Sequence, residues 1–280
     1  MAPLPSESRL AEFYGSSYFE TYGTKLHGKP PAGIAALAWR ALTHLAWRLD
    51  RSCPVTPEFL SRFAPRGSSV CDLGCGPGHL LKAMRAYGYQ ACGIEPDPAA
   101  VRLCVDQGME VHVGTAEALP QNLAGRKFDA VVMTQVLEHC RDPRSALRGA
   151  LGLLRSGGHL IVEVPNAGSR AARESGAAWF HADVGRHLYF FTPKSLAAVT
   201  RQVGAEVVET VFSEYTAQFL PDRLSAEQQV WDAMHQSGAR VLGRDTKRPS
   251  AARRGILLAE TARAAAEHRY GVVALVARVA

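Results

Sequence analysis

Val70-Cys71-Asp72-Leu73-Gly74-Cys75-Gly76-Pro77-Gly78 is the stretch that decides how this chain is read. A β-type run, Ser69 to Leu73, ends in an acid-containing turn rich in glycine. Leu80, Leu81, Met84 and Tyr87 then recur at helical spacing. Glycine lets a backbone pass close to a ligand where a Cβ would clash. A glycine triplet alone is weak, because dinucleotide-binding folds carry one too. Two details separate this loop from those. Its glycines are spaced G-x-G-x-G, and Asp72 stands two residues before the first. A carboxylate there would repel a pyrophosphate and suits a ligand bearing an ammonium group.

Working outward, strand-like and helical stretches alternate, which is the signature of a doubly wound α/β sheet. Strands are predicted over Gln90 to Ile94, Val111 to Val113, Phe128 to Thr134, His159 to Val164, Ala205 to Phe212 and Gly271 to Ala277. Asp97-Pro98, Asp142-Pro143 and Thr192-Pro193 each offer a capping side chain followed by proline, so each predicts a helix start. The helix after Asp142 is expected to run to about Leu154, with Ser156, Gly157 and Gly158 turning the chain. The fold class is thus a mostly parallel seven-stranded sheet with helices on both faces. Three regions follow: residues 1–66, a helical cover; residues 67–212, the ligand-binding core; and residues 213–280, a polar helical insertion and the final strand. In the first region Ile34, Leu37, Ala41 and Leu45 form one apolar stripe.

Open α/β sheets bind ligands at the carboxyl ends of their strands. Four segments fall there in order: the glycine loop; Glu95-Pro96, whose acid can accept from both hydroxyls of a ribose; Gly114-Thr115-Ala116-Glu117; and Gln135-Val136-Leu137-Glu138-His139.

With these motifs in order, Ser69 to about Val211 resembles the class I S-adenosylmethionine-dependent methyltransferases, near the ubiquinone-biosynthesis O-methyltransferases and related natural-product enzymes. The resemblance implies that Asp72 orients the methionine amino group. Gly74, Gly76 and Gly78 would pack against methionine and ribose, Glu95 with Pro96 would hold the ribose, and Gln135 would lie beside the methionine moiety. Many relatives carry an aspartate where Thr115 stands, so adenine would rest on the Thr115 hydroxyl and the Ala116 amide.

Sulfonium methyl transfer is an in-line displacement, and the protein mainly aligns two partners and excludes water. A hydroxyl acceptor must also lose a proton, a task suited to a histidine. His139 is the first candidate base. His181 and His187, set among aromatics, are the reserves, with a plain packing role as the alternative for each. Trp179 and Phe180 are candidate acceptor walls. Tyr14 and Tyr18, beside Phe13 and Phe19, are candidate residues of a lid.

The expected reaction is methylation of a hydroxyl on a natural product, quinone precursor or sugar. The alternatives are an RNA or protein methyltransferase docking through a basic insertion, and a non-catalytic cofactor-binding module. The net charge is +6, with an excess at Arg240, Arg244, Lys247, Arg248, Arg253 and Arg254. Such a run is most often a solvated face. No nucleic-acid module or aromatic-basic alternation is present, so nucleic acid is disfavoured. Adenine-amino methylation is disfavoured too, because Thr134-Gln135-Val136-Leu137 replaces the Asn-Pro-Pro-aromatic run it would need. No metal is expected, although Glu138, His139, His181 and Asp183 leave that open. The six cysteines form no CxxC pair and read as reduced thiols in a cytoplasmic protein. No apolar run is long enough to span a bilayer and no secretory signal is read at the start. Trp39, Trp47, Arg40 and Arg48 leave peripheral membrane contact open. A monomer or homodimer is expected.

Overall fold

Asp97, Asp142 and Thr192 each cap a helix that opens with proline. The Asp97 carboxylate accepts the Ala99 amide at 2.8 Å, the Asp142 carboxylate accepts that of Arg144 at 3.0 Å, and Thr192 exchanges bonds with Ser195 in a capping box. These caps belong to a computed structural model that describes residues 34–183, 185–220, 223–227, 229–230 and 251–279.

In chain order the described elements are α1 (Ile34–Leu49), α2 (Pro57–Leu60), β1 (Ser69–Leu73), α3 (His79–Tyr87), β2 (Gln90–Glu95), α4 (Pro98–Asp106) and β3 (Glu110–Val113). Then come β4 (Phe128–Thr134), α5 (Pro143–Gly152), β5 (Leu154–Pro165), α6 (Arg170–Ser175), α7 (Pro193–Gln202), β6 (Ala205–Ser213), α8 (Ala251–Ala262), α9 (Ala266–Arg269) and β7 (Val272–Val279). The sheet order is β3-β2-β1-β4-β5-β7-β6. The first five strands pair in parallel, and β7 runs antiparallel to both β5 and β6.

Parallel strands covered on both faces carry apolar residues on both sides. In β4, Ala130 and Val132 join Val70, Leu81 and Met84 on one face, while Val131 and Met133 join Leu147 and Leu196 on the other. β1 and β4 are direct neighbours although β2 and β3 lie between them in sequence. Chain direction therefore diverges between them, and the loops after β1 and β4 open a crevice there.

One reading is corrected. The helix after Asp142 ends at Gly152, and β5 begins at Leu154, so Ser156–Gly158 lie within an irregular strand start. The pairing shifts register between Phe128 and Ala130, which absorbs the glycines as a bulge instead of a turn. On α1 the described members of the apolar stripe turn outward. Among the described side chains of α1, Leu37, Ala41 and Leu45 are exposed and Ala46 is buried. Tyr14, Tyr18 and most of the basic insertion, Arg240, Arg244, Lys247 and Arg248 included, lie outside the described residues. Arg253 grips the Glu174 carboxylate at 2.6 Å instead of standing as a bare charge. Among the described residues no helix is long and apolar enough to cross a membrane.

Candidate active site

The β1–β4 crevice is a cavity of ≈ 530 Å³ walled by the loops after β1, β2, β3 and β4. Gly74, Gly76, Glu95, Pro96, Thr115, Ala116 and Gln135 line it, so the structure brings together seven of the nine residues expected to hold a cofactor. Asp97, Pro98, Glu117, Val136, His139 and Cys140 complete the wall.

The glycine loop is shaped by what surrounds it. Gly74 has φ +76°, and a Cβ there would sit 2.4 Å from Val136 Cγ2. Only glycine allows β1 and the loop after β4 to meet this closely. Glu95, at the end of β2, binds two backbone amides: Oε2 accepts from Gly76 at 2.8 Å and Oε1 from Asp97 at 3.0 Å. Each carboxylate oxygen keeps acceptor capacity beyond these bonds.

Asp72 lies behind the loop instead of in the wall. It is 1% exposed, and its Oδ1 has no hydrogen-bond partner among the described residues. Burial, aided by the charge of Glu95, pushes its pKa up to about 7. A buried acceptor left unpaired is costly, and a cationic group brought to it relieves that cost. Gly78 also stays out of the wall and starts α3 with φ +81°.

Thr115 closes a turn. Its Oγ1 accepts the Ala118 amide at 2.9 Å, and its own amide donates to the Ala118 carbonyl at 3.1 Å. Its hydroxyl keeps one donor and a second lone pair beyond this bond. The Glu117 carboxylate accepts the Asp142 amide at 2.7 Å and that of Arg141 at 3.2 Å, which ties this turn to the start of α5. Gln135 has φ +56°, unusual for a side chain of its size, and its amide donates to the Glu163 carbonyl at 2.9 Å.

On the far side of the cavity, His139 and His187 meet edge to face with ring centroids 4.5 Å apart. His139 Nδ1 donates to the Arg186 carbonyl at 3.2 Å, and His187 Nδ1 donates to the His181 carbonyl at 2.8 Å. A carbonyl only accepts, so each ring carries its proton on Nδ1 and presents a lone pair at Nε2. Burial lowers the pKa of His139; burial and the neighbouring imidazole take His187 down to about 4. Both rings are neutral at pH 7. His181 is engaged elsewhere: its Nε2 donates to Glu214 Oε2 at 3.0 Å, and Arg223 holds that carboxylate through two nitrogens. Burial is the largest influence on Glu214, yet these partners overcome it and hold its pKa down to about 2.

Trp179 is buried against Ala172 and Ala182, so it backs this region instead of lining the cavity. Phe180 lies under the Arg223 guanidinium, 4.6 Å from ring centroid to carbon. Glu138 is 1% exposed, and neither of its oxygens has a hydrogen-bond partner among the described residues. Burial, with the charges of Glu163 and Asp183, raises its pKa to about 8, so it is protonated at neutral pH. Glu138, His139 and His187 offer ligand atoms within 4.8 Å of one another, a donor set a divalent cation can use. Sequence reasoning left Glu138 as one member of an open question and had no signal for Glu214, Arg223 or Glu163, which come from distant segments.

A family model described as a methyltransferase domain matches residues 46–210. The ubiquinone biosynthesis O-methyltransferase of Xanthomonas axonopodis pv. citri is 34% identical over 167 residues, 55% of this chain and 70% of that protein. The protein of the same name from Ruegeria sp. is 34% identical over 222 residues, 73% of this chain and 84% of that protein. Among solved structures, the [4+2]-cyclase SpnF superposes with TM-score 0.56 at 20% identity, covering 99% of this chain and 97% of that one. The 1,6-didemethyltoxoflavin-N1-methyltransferase of Burkholderia thailandensis, which holds 1,6-didemethyltoxoflavin and S-adenosylhomocysteine, gives TM-score 0.53 at 15% identity, covering 100% and 92%. At these identities the two structures show a shared fold and no more.

Proposed function

This chain belongs to the class I S-adenosylmethionine-dependent methyltransferases, and from that premise we propose that it methylates a hydroxyl oxygen of a small-molecule acceptor with His139 as the base. The observation that carries the reading is the placement of His139 in the wall of the cofactor cavity, neutral, with its Nε2 lone pair unprotonated. The ubiquinone-type relatives, named as O-methyltransferases, support the same acceptor chemistry.

The cavity fits the cofactor. Its glycine loop leaves no room for a Cβ at Gly74, Glu95 stands in the wall, and the orphaned Asp72 Oδ1 lies where an ammonium group is wanted. When bound, S-adenosylmethionine supplies a sulfonium-activated methyl group. The chain's own residues then do four things. Asp72 accepts from the ammonium. Glu95 and Pro96 hold the ribose. The turn of Thr115 and Ala116 meets the adenine. His139 takes the acceptor hydroxyl proton at Nε2 while Arg186 keeps its Nδ1–H in place.

In this reading residues 1–66, with Tyr14 and Tyr18, and residues 213–270 cover the acceptor side of the 67–212 core. His187 supports His139, His181 orients the cover through Glu214, and Phe180 with Trp179 behind it forms an apolar wall. The six free thiols suit a reducing, cytoplasmic setting. The test is direct. Purified protein is incubated with isotope-labelled methyl donor and small-molecule extract, and the products are analysed by mass spectrometry. Label in an O-methyl ether of a small molecule is expected. Label only in RNA or protein, or no transfer at all, would overturn the proposal.

A further inference from the structure

Donor side chains outside the cavity converge at the β3 edge of the sheet. Cys71 on β1, Cys92 on β2 and Glu110 on β3 stand in one register row, so their side chains leave the same face. His112 follows Glu110 by two positions along β3 and shares that face. The Cys92 sulfur, a Glu110 carboxylate oxygen and a His112 ring nitrogen lie within 4.8 Å of one another. The group grades from core to water. Cys92 is buried, while the His112 and Glu110 side chains are 21% and 46% exposed, so the open side faces solvent.

The neighbours of these groups already accommodate a positive charge. Cys71 donates its S–H to the Cys92 sulfur. Asn122 Nδ2 donates to His112 Nδ1 at 2.8 Å, and His112 Nε2 donates to Glu110 Oε1 at 3.2 Å. The Arg126 guanidinium grips both Glu110 oxygens, Oε2 at 3.0 Å. Its side chain is 37% exposed and sits on a long stem over Phe128, so the charged head can swing into water.

We propose that Cys92, Glu110 and His112 bind a zinc-type divalent cation, with Arg126 as the placeholder that leaves when the metal arrives. Thiolate, imidazole and carboxylate are donor types that zinc selects, and water from the open side completes a tetrahedron. The protons balance. Cys92 releases its S–H proton to solvent. The His112 proton leaves Nε2 and is replaced by one from water at Nδ1, where the Asn122 amide turns over to offer its oxygen. Cys71 keeps its S–H on the thiolate as a supporting donor. One thiolate and one carboxylate then neutralise the metal's charge, and the guanidinium is no longer needed beside Glu110. Cys92 stands three residues before Glu95, and His112 three before Thr115. The metal would staple β2 to β3 just beneath the segments assigned to ribose and adenine. This site is separate from Glu138, His139 and His187 and does not depend on the acceptor chemistry proposed above.

The experiment titrates the full chain with cobalt(II) and then displaces it with zinc(II). A saturable sulfur-to-cobalt charge-transfer band is expected. The donor set Glu138, His139 and His187 contains no thiol and cannot give that band. Cys92→Ser should remove it, and His112→Gln should weaken binding about tenfold or more. Arg126→Gln should strengthen binding severalfold. Zinc should raise the melting temperature of the wild type and not that of His112→Gln, whose metal-free melting temperature stays unchanged. Because His112 is partly exposed, this variant reads ligation even where replacement of the buried thiol prevents folding. No charge-transfer band, a band that survives in Cys92→Ser, wild-type affinity in His112→Gln or weaker binding in Arg126→Gln would each overturn the proposal. So would a band that Cys53→Ser abolishes, since Cys53 is the partly exposed thiol.

Discussion

His139 stands edge-on to His187, with ring centroids 4.5 Å apart, and the two rings cannot both be protonated without facing like charge across that gap. The depressed pKa of His187 reflects this neighbour as well as burial. Burial separately lowers the pKa of His139.

His139→Ala is accordingly expected to lower kcat by about 10²–10⁴-fold, the usual cost of removing a positioned general base. Affinity for the cofactor should stay within a few-fold of wild type. Because burial lowers the His139 pKa, the acid limb of the kcat profile should lie below pH 6.5. His187→Ala should lower kcat less than His139→Ala does. If single replacements show His139→Ala active and His187→Ala or His181→Ala dead, the base has been misassigned.

Asp72 links cofactor binding to protons. Burial holds its pKa at about 7, and an ammonium partner favours the ionised form. Binding near pH 6.5 should therefore release a proton, and affinity should fall by up to about tenfold per pH unit below 7. Calorimetry in buffers of different ionisation enthalpy reads the proton directly. Asp72→Asn should weaken binding by about 1–3 kcal/mol and abolish the pH dependence.

Stability of the cofactor-free protein should fall from pH 6.5 to 8. Asp72, Glu163 and Glu138 have folded-state pKa values of about 7, 7 and 8, all raised by burial. Between pH 6.5 and 8 the unfolded chain has already released these protons while the folded chain still holds part of them. The folded state then binds more protons, and stability declines as pH rises. The loss should total roughly 1–3 kcal/mol. The two buried histidines oppose this trend in part, because near pH 6.5 they are neutral in the folded state while the unfolded imidazoles are still about half protonated. Denaturant melts at several pH values measure the slope, and Glu138→Gln should flatten it.

Gly74→Ala should destabilise the protein by about 1–3 kcal/mol through backbone strain at φ +76° and a clash with Val136. Val136→Ala in the same chain should recover the steric part only. Chemical denaturation of the single and double variants separates the two contributions.

The cofactor half of the site was legible because its signals are local. Asp72, Gly74 and Glu95 sit at strand ends that the apolar pattern already marks, and β1 and β4 were read to the residue as Ser69–Leu73 and Phe128–Thr134. The acceptor half was not. Glu214 meets His181 from 33 positions away, and Arg223 reaches both. No periodicity encodes such a meeting. A stripe such as Leu37, Ala41 and Leu45 likewise reports amphipathicity but not which side the protein covers.

The position of β7 also governs how the molecule is made. β6 ends at Ser213 and β7 starts at Val272, yet β7 lies between β5 and β6. During synthesis β6 emerges first and finds no place in the sheet, because the strand it must pair with has yet to leave the ribosome. Five parallel strands can assemble in that interval, with β5 presenting an open edge. The nascent chain thus passes through a stage with two unpaired edges, the condition in which strands recruit wrong neighbours. Ribosomal pausing or premature release within residues 214–271 would therefore leave an aggregation-prone product instead of a shortened enzyme.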